Sequence, residues 1–554
     1  MEKPFEIGLV MAGAVSAGAY TAGVIDFLIE ALDEWQRLKD ANDPSAPRHA
    51  VELKVIAGTS AGGMTAAMVA GALAVEHHPV RDPERAPPQN KLFDSWVERI
   101  DIAPLLGARD LQGNDGPLRS LLDSSVLDAI AGDALAFGGG TRRAFVSPQL
   151  HLVTTASNLR GVPYNVPFPG EAYRGGHEMY AHADYMHFVV SDTGCECPDA
   201  LWLDWAKQQT ANWKTLEVAA LATGAFPVGL APRTLAFSRT HYAQRRWEIP
   251  EAGEAADGGC RYTHHMRAIP PSWPADLGGD AYAAVCVDGG VMNNEPFDIA
   301  RRIMLNGECS TPREADKTTR ALVMIDPFPG ADLDVSKYEA KEDLLSVFFK
   351  MFNAMKNQSR FKPDELLLAQ NPDVFSRFLV APSRKLEDGS VAPFPIACGA
   401  LGGFSGFLSR DFRVHDYQLG RRNCWAFLKR HFNLAETHPL FEASWDDAQR
   451  PAHRIEDGGK NFLPLIPLLG SAAEQPAQPV WPRYTDRRLA ALRDRIGRRY
   501  DAVSERLAAQ FTQGRWFARQ GLKFFLWRKR KDLLDKAEEK VLGALRAFGL
   551  YYGE

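Results

Sequence analysis

Leu53-Lys54-Val55-Ile56-Ala57-Gly58-Thr59-Ser60-Ala61-Gly62-Gly63-Met64-Thr65-Ala66-Ala67-Met68-Val69-Ala70 changes character in its middle. Leu53 to Ala57 is a short apolar run that reads as a buried strand. Met64 to Ala74 is built of small residues and is apolar nearly all round, which reads as a helix packed centrally. Between them, Gly58 to Gly62 fits G-x-S-x-G. Such a turn needs glycine on both sides of the serine, because it is strained and backbones pass close to it. It also sets Ser60 Oγ at a helix N-terminus, where the dipole favours a developing anion. A tight strand–helix turn without chemistry has the same pattern, so flanking strand and helix matter as much as the five residues. Val55 to Val75 carries no charge over 21 residues, long enough to cross a bilayer. Ala, Gly, Ser and Thr dominate it, and a buried strand–turn–helix explains it better.

Working outward, strand and helix signals alternate. Ile7 to Met11 reads as a strand ending in the turn Ala12 to Gly18, and Val24, Ile25, Phe27, Leu28, Ala31 and Leu32 then lie on one helical face. Glu2, Glu6 and Asp26 argue against reading this start as a signal peptide. Further strand-like runs are Leu152 to Ala156, Phe188 to Val190, Tyr282 to Val287 and Ala321 to Ile325. The alternation predicts an α/β fold of three layers, with a mostly parallel central sheet covered on both faces. About 80–140 and about 238–279 read as insertions. Beyond about residue 335 helical patterns prevail, at Ser336 to Lys356, Tyr417 to His431, Asp486 to Gln510 and Trp516 to Phe548. The expected division is therefore an α/β domain over 1–335 and a mainly helical region over 336–554.

Two further pieces carry chemistry. Asp288-Gly289-Gly290 follows the strand Tyr282 to Val287, and a carboxylate at the carboxyl end of a central strand points into the crevice where open α/β sheets bind ligands. Asp257 and Asp457 also begin D-G-G, but in polar loops that read as ordinary turns. Gly13-Ala14-Val15-Ser16-Ala17-Gly18 follows the first strand, and its backbone N–H groups at a helix start form an anion cradle suited to an oxyanion. It lacks the Lys-Ser/Thr of a phosphate-binding loop. Fourteen histidines leave a Ser–His–Asp triad open as an alternative.

Together these pieces resemble the patatin-like phospholipase family. The order matches over roughly residues 5 to 330: a Gly-rich turn after the first strand, G-x-S-x-G, then D-G-G, with Val218-Ala219-Ala220-Leu221-Ala222-Thr223-Gly224-Ala225-Phe226-Pro227 similar to the family's intervening stretch. The resemblance implies a Ser60–Asp288 dyad without histidine and hydrolysis of lipid acyl esters, with no metal or cofactor. It also implies an oxyanion hole from the amides of Ala14 and Val15, with Gly13 setting the turn. The family's pattern in that turn is G-G-G-x-[RK]-G. Here Ala14 and Val15 replace glycines and Ala17 replaces the cation. Backbone donors survive such changes, while glycine-like dihedrals at Val15 would be strained. A catalytically silent lipid-binding protein on the same fold is the second alternative.

Composition adds limits. With 45% apolar and 24% charged residues the chain is ordinarily globular, and a net charge of −5 gives no nucleic-acid footprint. Residues 481–554 hold 18 Lys/Arg against 9 Asp/Glu, a local +9 on a body of −14. Aromatics at Trp516, Phe517, Phe524, Phe525 and Trp527 interleave with Arg519, Lys523, Arg528, Lys529, Arg530 and Lys531. That pattern fits a helix packed on the body, with Leu526, Leu533, Ala537, Val541, Leu545 and Phe548 inward, and equally a peripheral contact with anionic lipid. Seven cysteines fit a reducing compartment, so the expected location is cytoplasmic, with peripheral attachment to the inner face of the membrane. Cys195-Glu196-Cys197 has no second pair at zinc-like spacing and reads as packing or surface cysteines. Gly402 to Phe407 and Asp416 to Asn423 resemble the C-terminal extension of longer bacterial patatin-related proteins, and would dock that region onto the catalytic domain.

Overall fold

The computed structural model describes residues 3–113, 116–166, 176–207, 210–254, 260–306, 311–330, 354, 357–360, 371–512 and 516–552, with the backbone alone described for 250–254, 260–265, 516 and 518. The helix expected at Ser336 to Lys356 and the turn at Asp257 fall outside the described residues, apart from Ala354.

The strands are β1 (Phe5–Met11), β2 (Val51–Gly58), β3 (Val146–Val166), β4 (His177–Ser191), β5 (Leu201–Asp204), β6 (Arg233–Ser238), β7 (Arg246–Glu254), β8 (Cys260–Ala268), β9 (Ala281–Asp288), β10 (Arg320–Ile325) and β11 (Arg377–Val380). The main sheet runs β11-β10-β1-β2-β3-β4-β5, parallel from β11 through β3. Strand β4 then pairs antiparallel with β3, and β7 and β8 form a separate hairpin within the second expected insertion. The helices that matter here are α1 (Gly18–Asp40), α2 (Ala61–Ala72), α3 (Ser125–Ala134), α4 (Ala211–Thr223), α5 (Phe297–Leu305), α6 (Arg410–Arg430), α7 (Asp486–Thr512) and α8 (Trp516–Ala547).

Strand β1 shows why there are three layers. Leu9 and Met11 join the large core under α1 and α2, while Val10 and Ala12 join a smaller core under Phe297, Ile299, Ala300 and Met304 of α5. Both faces of the central strands are thus buried, which explains their continuous apolar runs. Helix α1 passes a membrane-span test by length and composition, but it lies buried in the core.

One expectation needs correcting. Asp288 does end a strand at the crevice, but β9 is not one of the parallel strands. Strand β3 is 21 residues long and overshoots the edge of β2, and β9 pairs antiparallel with the overhang, placing Asp288 opposite Ala156. Asp288 therefore reaches the crevice from the opposite direction to Ser60.

Residues beyond 335 complete this fold. Strand β11 extends the sheet edge beside β10, and β12 (Asn433–Ala435), β13 (Ile455–Asp457) and β14 (Lys460–Pro464) form a small antiparallel sheet; Asp457, expected in a polar loop, instead ends β13 and leads into the Gly458–Gly459 hairpin turn. Helix α6 crosses α1 in backbone contact: a Cβ on Gly23 would sit 1.9 Å from Tyr417 O, and one on Gly420 would sit 2.2 Å from Tyr20 O. Beside that crossing Arg421 of α6 pairs with Asp26 and Glu30 of α1, all three side chains buried. Burial alone would raise the Asp26 carboxyl, but Arg421, His77 and Asn90 outweigh it and hold it far below the usual carboxylate range. Asp416 accepts hydrogen bonds from the N–H groups of Ala397 and Cys398, both 2.8 Å, fixing the segment that leads to Phe404 and Phe407.

Candidate active site

Three chain reversals meet at the carboxyl edge of β1 and β2. Ser60 lies between β2 and α2 at φ 52°, ψ −126°, a conformation that L-residues adopt only under strain. The sequence allows it because neighbours on both sides lack Cβ. At Gly62 a Cβ would fall 2.3 Å from Met11 O, and at Gly58 it would fall 2.4 Å from Gly62 O. The Ser60 hydroxyl donates to Asp288 Oδ2 at 2.7 Å, across 228 positions of sequence. Both side chains are largely buried, at 7% and 6% exposure.

Each partner is held by other groups. Gly290 N–H donates to Asp288 Oδ1 at 2.7 Å, so one carboxylate oxygen is anchored while the other faces Ser60. Gly289 presses on Thr155, where a Cβ would meet Oγ1 at 2.1 Å. The stretch between elbow and aspartate serves both partners. Thr223 Oγ1 accepts the Ser60 N–H at 2.9 Å, and Ala225 O accepts the Asp288 N–H at 2.9 Å. Thr59 Oγ1 lies 2.6 Å from Thr155 Oγ1 and donates to Asn293 O at 2.9 Å. Sequence reasoning missed Thr59, Thr155, Thr223 and Asn293, because a buried threonine or asparagine has no periodicity to mark it.

The Gly13–Val15 turn closes over the serine. A Cβ on Gly13 would lie 3.2 Å from Ser60 Cβ and 2.4 Å from Asn294 Oδ1, and the Gly13 N–H donates to Asn294 O at 3.2 Å. Val15 has φ 50°, the left-handed region where the family pattern carries glycine. The segment from the C-terminal region supports it: Ser16 Oγ donates to Gly403 O and accepts the Gly406 N–H at 3.0 Å, and Gly403 packs on Val15. Among the described residues, no backbone acceptor pairs with the N–H groups of Ala14 and Val15.

Ser60 and Asp288 open onto a narrow, almost wholly apolar cavity walled by Trp96, Leu105, Leu127, Phe226, Leu230 and Phe404. Leu105 and Leu127 come from the first expected insertion and Phe404 from the C-terminal region, so both contribute to its wall. Among the described residues no histidine lines it. The one histidine–cysteine group among the described residues that is close enough for a metal, His151, His187 and Cys197, lies in a different groove.

The α/β layers thus bring a strained serine elbow, a facing carboxylate and an apolar slot together at one edge of the sheet. The chain belongs to the patatin-like phospholipase family, whose model matches residues 9–301. That family's chemistry is lipid hydrolysis, and lipids are its substrates. The uncharacterized protein y4iI of Sinorhizobium fredii is 36% identical over 580 aligned positions, covering 96% of this chain and 80% of that one. The crystal structure of VipD from Legionella pneumophila aligns over 98% of this chain and 90% of that chain at 11% identity. With a TM-score of 0.20, it is too remote to define the fold or the site.

Proposed function

We propose that the chain is a serine acyl hydrolase for lipid esters, using Ser60 and Asp288 as a dyad. The observation that carries this reading is the 2.7 Å hydrogen bond from Ser60 Oγ to Asp288 Oδ2 at a strained elbow. Ser60 Oγ attacks the ester carbonyl as its proton passes to Asp288. The oxyanion is met by the amides of Ala14 and Val15 and by the N-terminus of α2. The C–O bond then breaks, and Asp288 returns the proton to the leaving alcohol. Water attacks the acyl-serine with Asp288 again taking the proton, which goes back to Ser60 as the fatty acid leaves. The apolar slot accepts the acyl chain. Ala17 stands where the family carries a cation, so headgroup phosphate has no such partner in this turn. No step calls on a metal or cofactor.

Delivery to substrate is proposed to run through the α7–α8 hairpin. Phe511, Phe517, Phe524, Phe525 and Trp527 are exposed there beside exposed Arg528, Lys529 and Lys531, and aromatics among cations suit anionic lipid surfaces. Sparse cysteines, with five free thiols among the described residues, support a cytoplasmic location with peripheral attachment.

Incubating the chain with a fluorophosphonate and mapping the adduct tests the dyad. The reading predicts a single adduct on Ser60, much slower to form in Asp288→Asn. Absence of label, or label on another serine, contradicts it.

A further inference from the structure

The second groove lies on the α5 side of the sheet, where the covering layer stops short of β3 and β4. His151 on β3 and His187 on β4 are diagonal neighbours there, since Val153 pairs with His187 and His151 pairs with Val189. Their rings are stacked with centroids 5.2 Å apart, and His151 Nδ1 lies 2.9 Å from His187 Nε2. Cys197 arrives from the connection between β4 and β5. One ring nitrogen of each histidine and the Cys197 Sγ all lie within 4.8 Å of one another. Asp199 stands against two of the three: its Oδ2 is 3.4 Å from His187 Nδ1, and its Oδ1 accepts from Cys197 Sγ at 3.0 Å. The groove opens to solvent between Glu52, Arg246 and Arg302, which gives an ion an entry path.

We propose that His151, His187 and Cys197 bind a zinc-class divalent cation, with Asp199 orienting His187 and Cys197. The donor set is right for such an ion: two imidazoles and one thiolate are borderline to soft, and a carboxylate behind a ligating histidine is the usual way to fix its ring. Zinc–nitrogen and zinc–sulfur bonds of about 2.0–2.3 Å put ligand atoms roughly 3.3–3.6 Å apart in a tetrahedron, a gap that side-chain rotation closes from the present separations. The cation takes the place of the proton held between the two rings, and that proton moves by way of solvent to the far nitrogen of the same imidazole, so both ligating rings stay neutral. The Cys197 thiol loses its proton to solvent as the sulfur–metal bond forms, and a water fills the fourth position from the groove. The site is structural. It clamps the β4–β5 connection to the sheet on the side away from Ser60, and it is independent of the proposed hydrolysis.

Cobalt(II) titration of the chelator-treated full chain tests this. The proposal predicts one equivalent bound, with a thiolate-to-cobalt charge-transfer band and the intense visible bands of four-coordinate cobalt, all displaced by zinc. Cys197→Ser and His187→Gln lose the charge-transfer band or the stoichiometric site, while Cys195→Ser retains both. Zinc also raises the melting temperature of the wild type but not of Cys197→Ser. A wild type that gives no charge-transfer band overturns the proposal whether or not the variants fold. So does a band that survives Cys197→Ser, or one that vanishes only in Cys195→Ser.

Discussion

Val15 shows how a single residue can depart from a family pattern without removing what the pattern supplies. At φ 50° a β-branched residue bears about 1–2 kcal/mol of strain that glycine would not. The feature useful to chemistry, its N–H, is independent of side chain. Val15→Gly relieves the strain but forfeits the packing of a half-buried valine and adds unfolded-state entropy, terms of about 1 kcal/mol each. The expected result is stability within about 1 kcal/mol of wild type and an acyl-hydrolase rate within a few-fold. A rate lost altogether in a folded Val15→Gly protein would show that the side chain, not the amide, matters. Ser60 was legible in the sequence for the same kind of reason. Glycine at both 58 and 62 marks a place where backbones meet, and backbone contact is what the structure shows there. His151 and His187 were not legible: 36 residues apart on two strands, they meet only through an antiparallel register that short apolar runs do not reveal.

At the scale of elements, β1, β2, β9, β10, the centre of β3, the end of β4 and the long helices were readable because they are apolar or strongly periodic, whereas β5 to β8 and β11 to β14, short or set in polar stretches, were not. Asp486–Thr512 and Trp516–Ala547 fall within a few residues of the expected helices. The direction of β9 was not readable, because a strand buried on one face has the same alternating pattern whichever way it runs. The inward face of α8 was only partly so. Leu545 is buried as expected, but Leu534 is buried in place of Leu533, which is 42% exposed. The N-terminal half of α8 then leaves Phe524 and Trp527, ring centroids 5.9 Å apart, outward. If this hairpin meets membrane, the full chain will co-sediment with vesicles rich in phosphatidylglycerol and less with pure phosphatidylcholine. Replacing Phe517, Phe524, Phe525 and Trp527 with serine should cut that binding at least about tenfold, given the apolar area withdrawn. Soluble-ester turnover should be unaffected. Equal binding by the serine variant would move the contact elsewhere.

For the whole molecule, the C-terminal region is part of the catalytic fold in the most literal sense: Phe404 and Phe407 line the slot, and Arg421 lies buried between Asp26 and Glu30. His49 makes a further tie. It is buried among Trp35, Phe441 and Trp445, with Nε2 2.9 Å from Leu465 O, so it joins the approach to β2 to the C-terminal region. Burial lowers its pKa from 6.5 to about 3, against the opposing effect of the Leu465 bond. Between those values the unfolded chain binds a proton that the folded one refuses, so stability is present above pH 6.5 and lost as pH falls toward 3. One such group makes the loss about 1.4 kcal/mol per pH unit. His49→Gln keeps a donor for Leu465 O and has no proton to gain. Its urea midpoint should fall less between pH 7 and pH 4 than that of the wild type, and an identical fall would assign the acid sensitivity to other groups.

The central claim is that Ser60 and Asp288 perform the acyl transfer, and hydrolysis rates on a short-chain p-nitrophenyl ester and on phospholipid vesicles test it most directly. Ser60→Ala and Asp288→Asn, each with wild-type circular dichroism, should both fall by roughly a thousandfold or more, and the double variant should fall little further, because the two act as a unit. Turnover within roughly tenfold of wild type in either folded single variant would contradict the account.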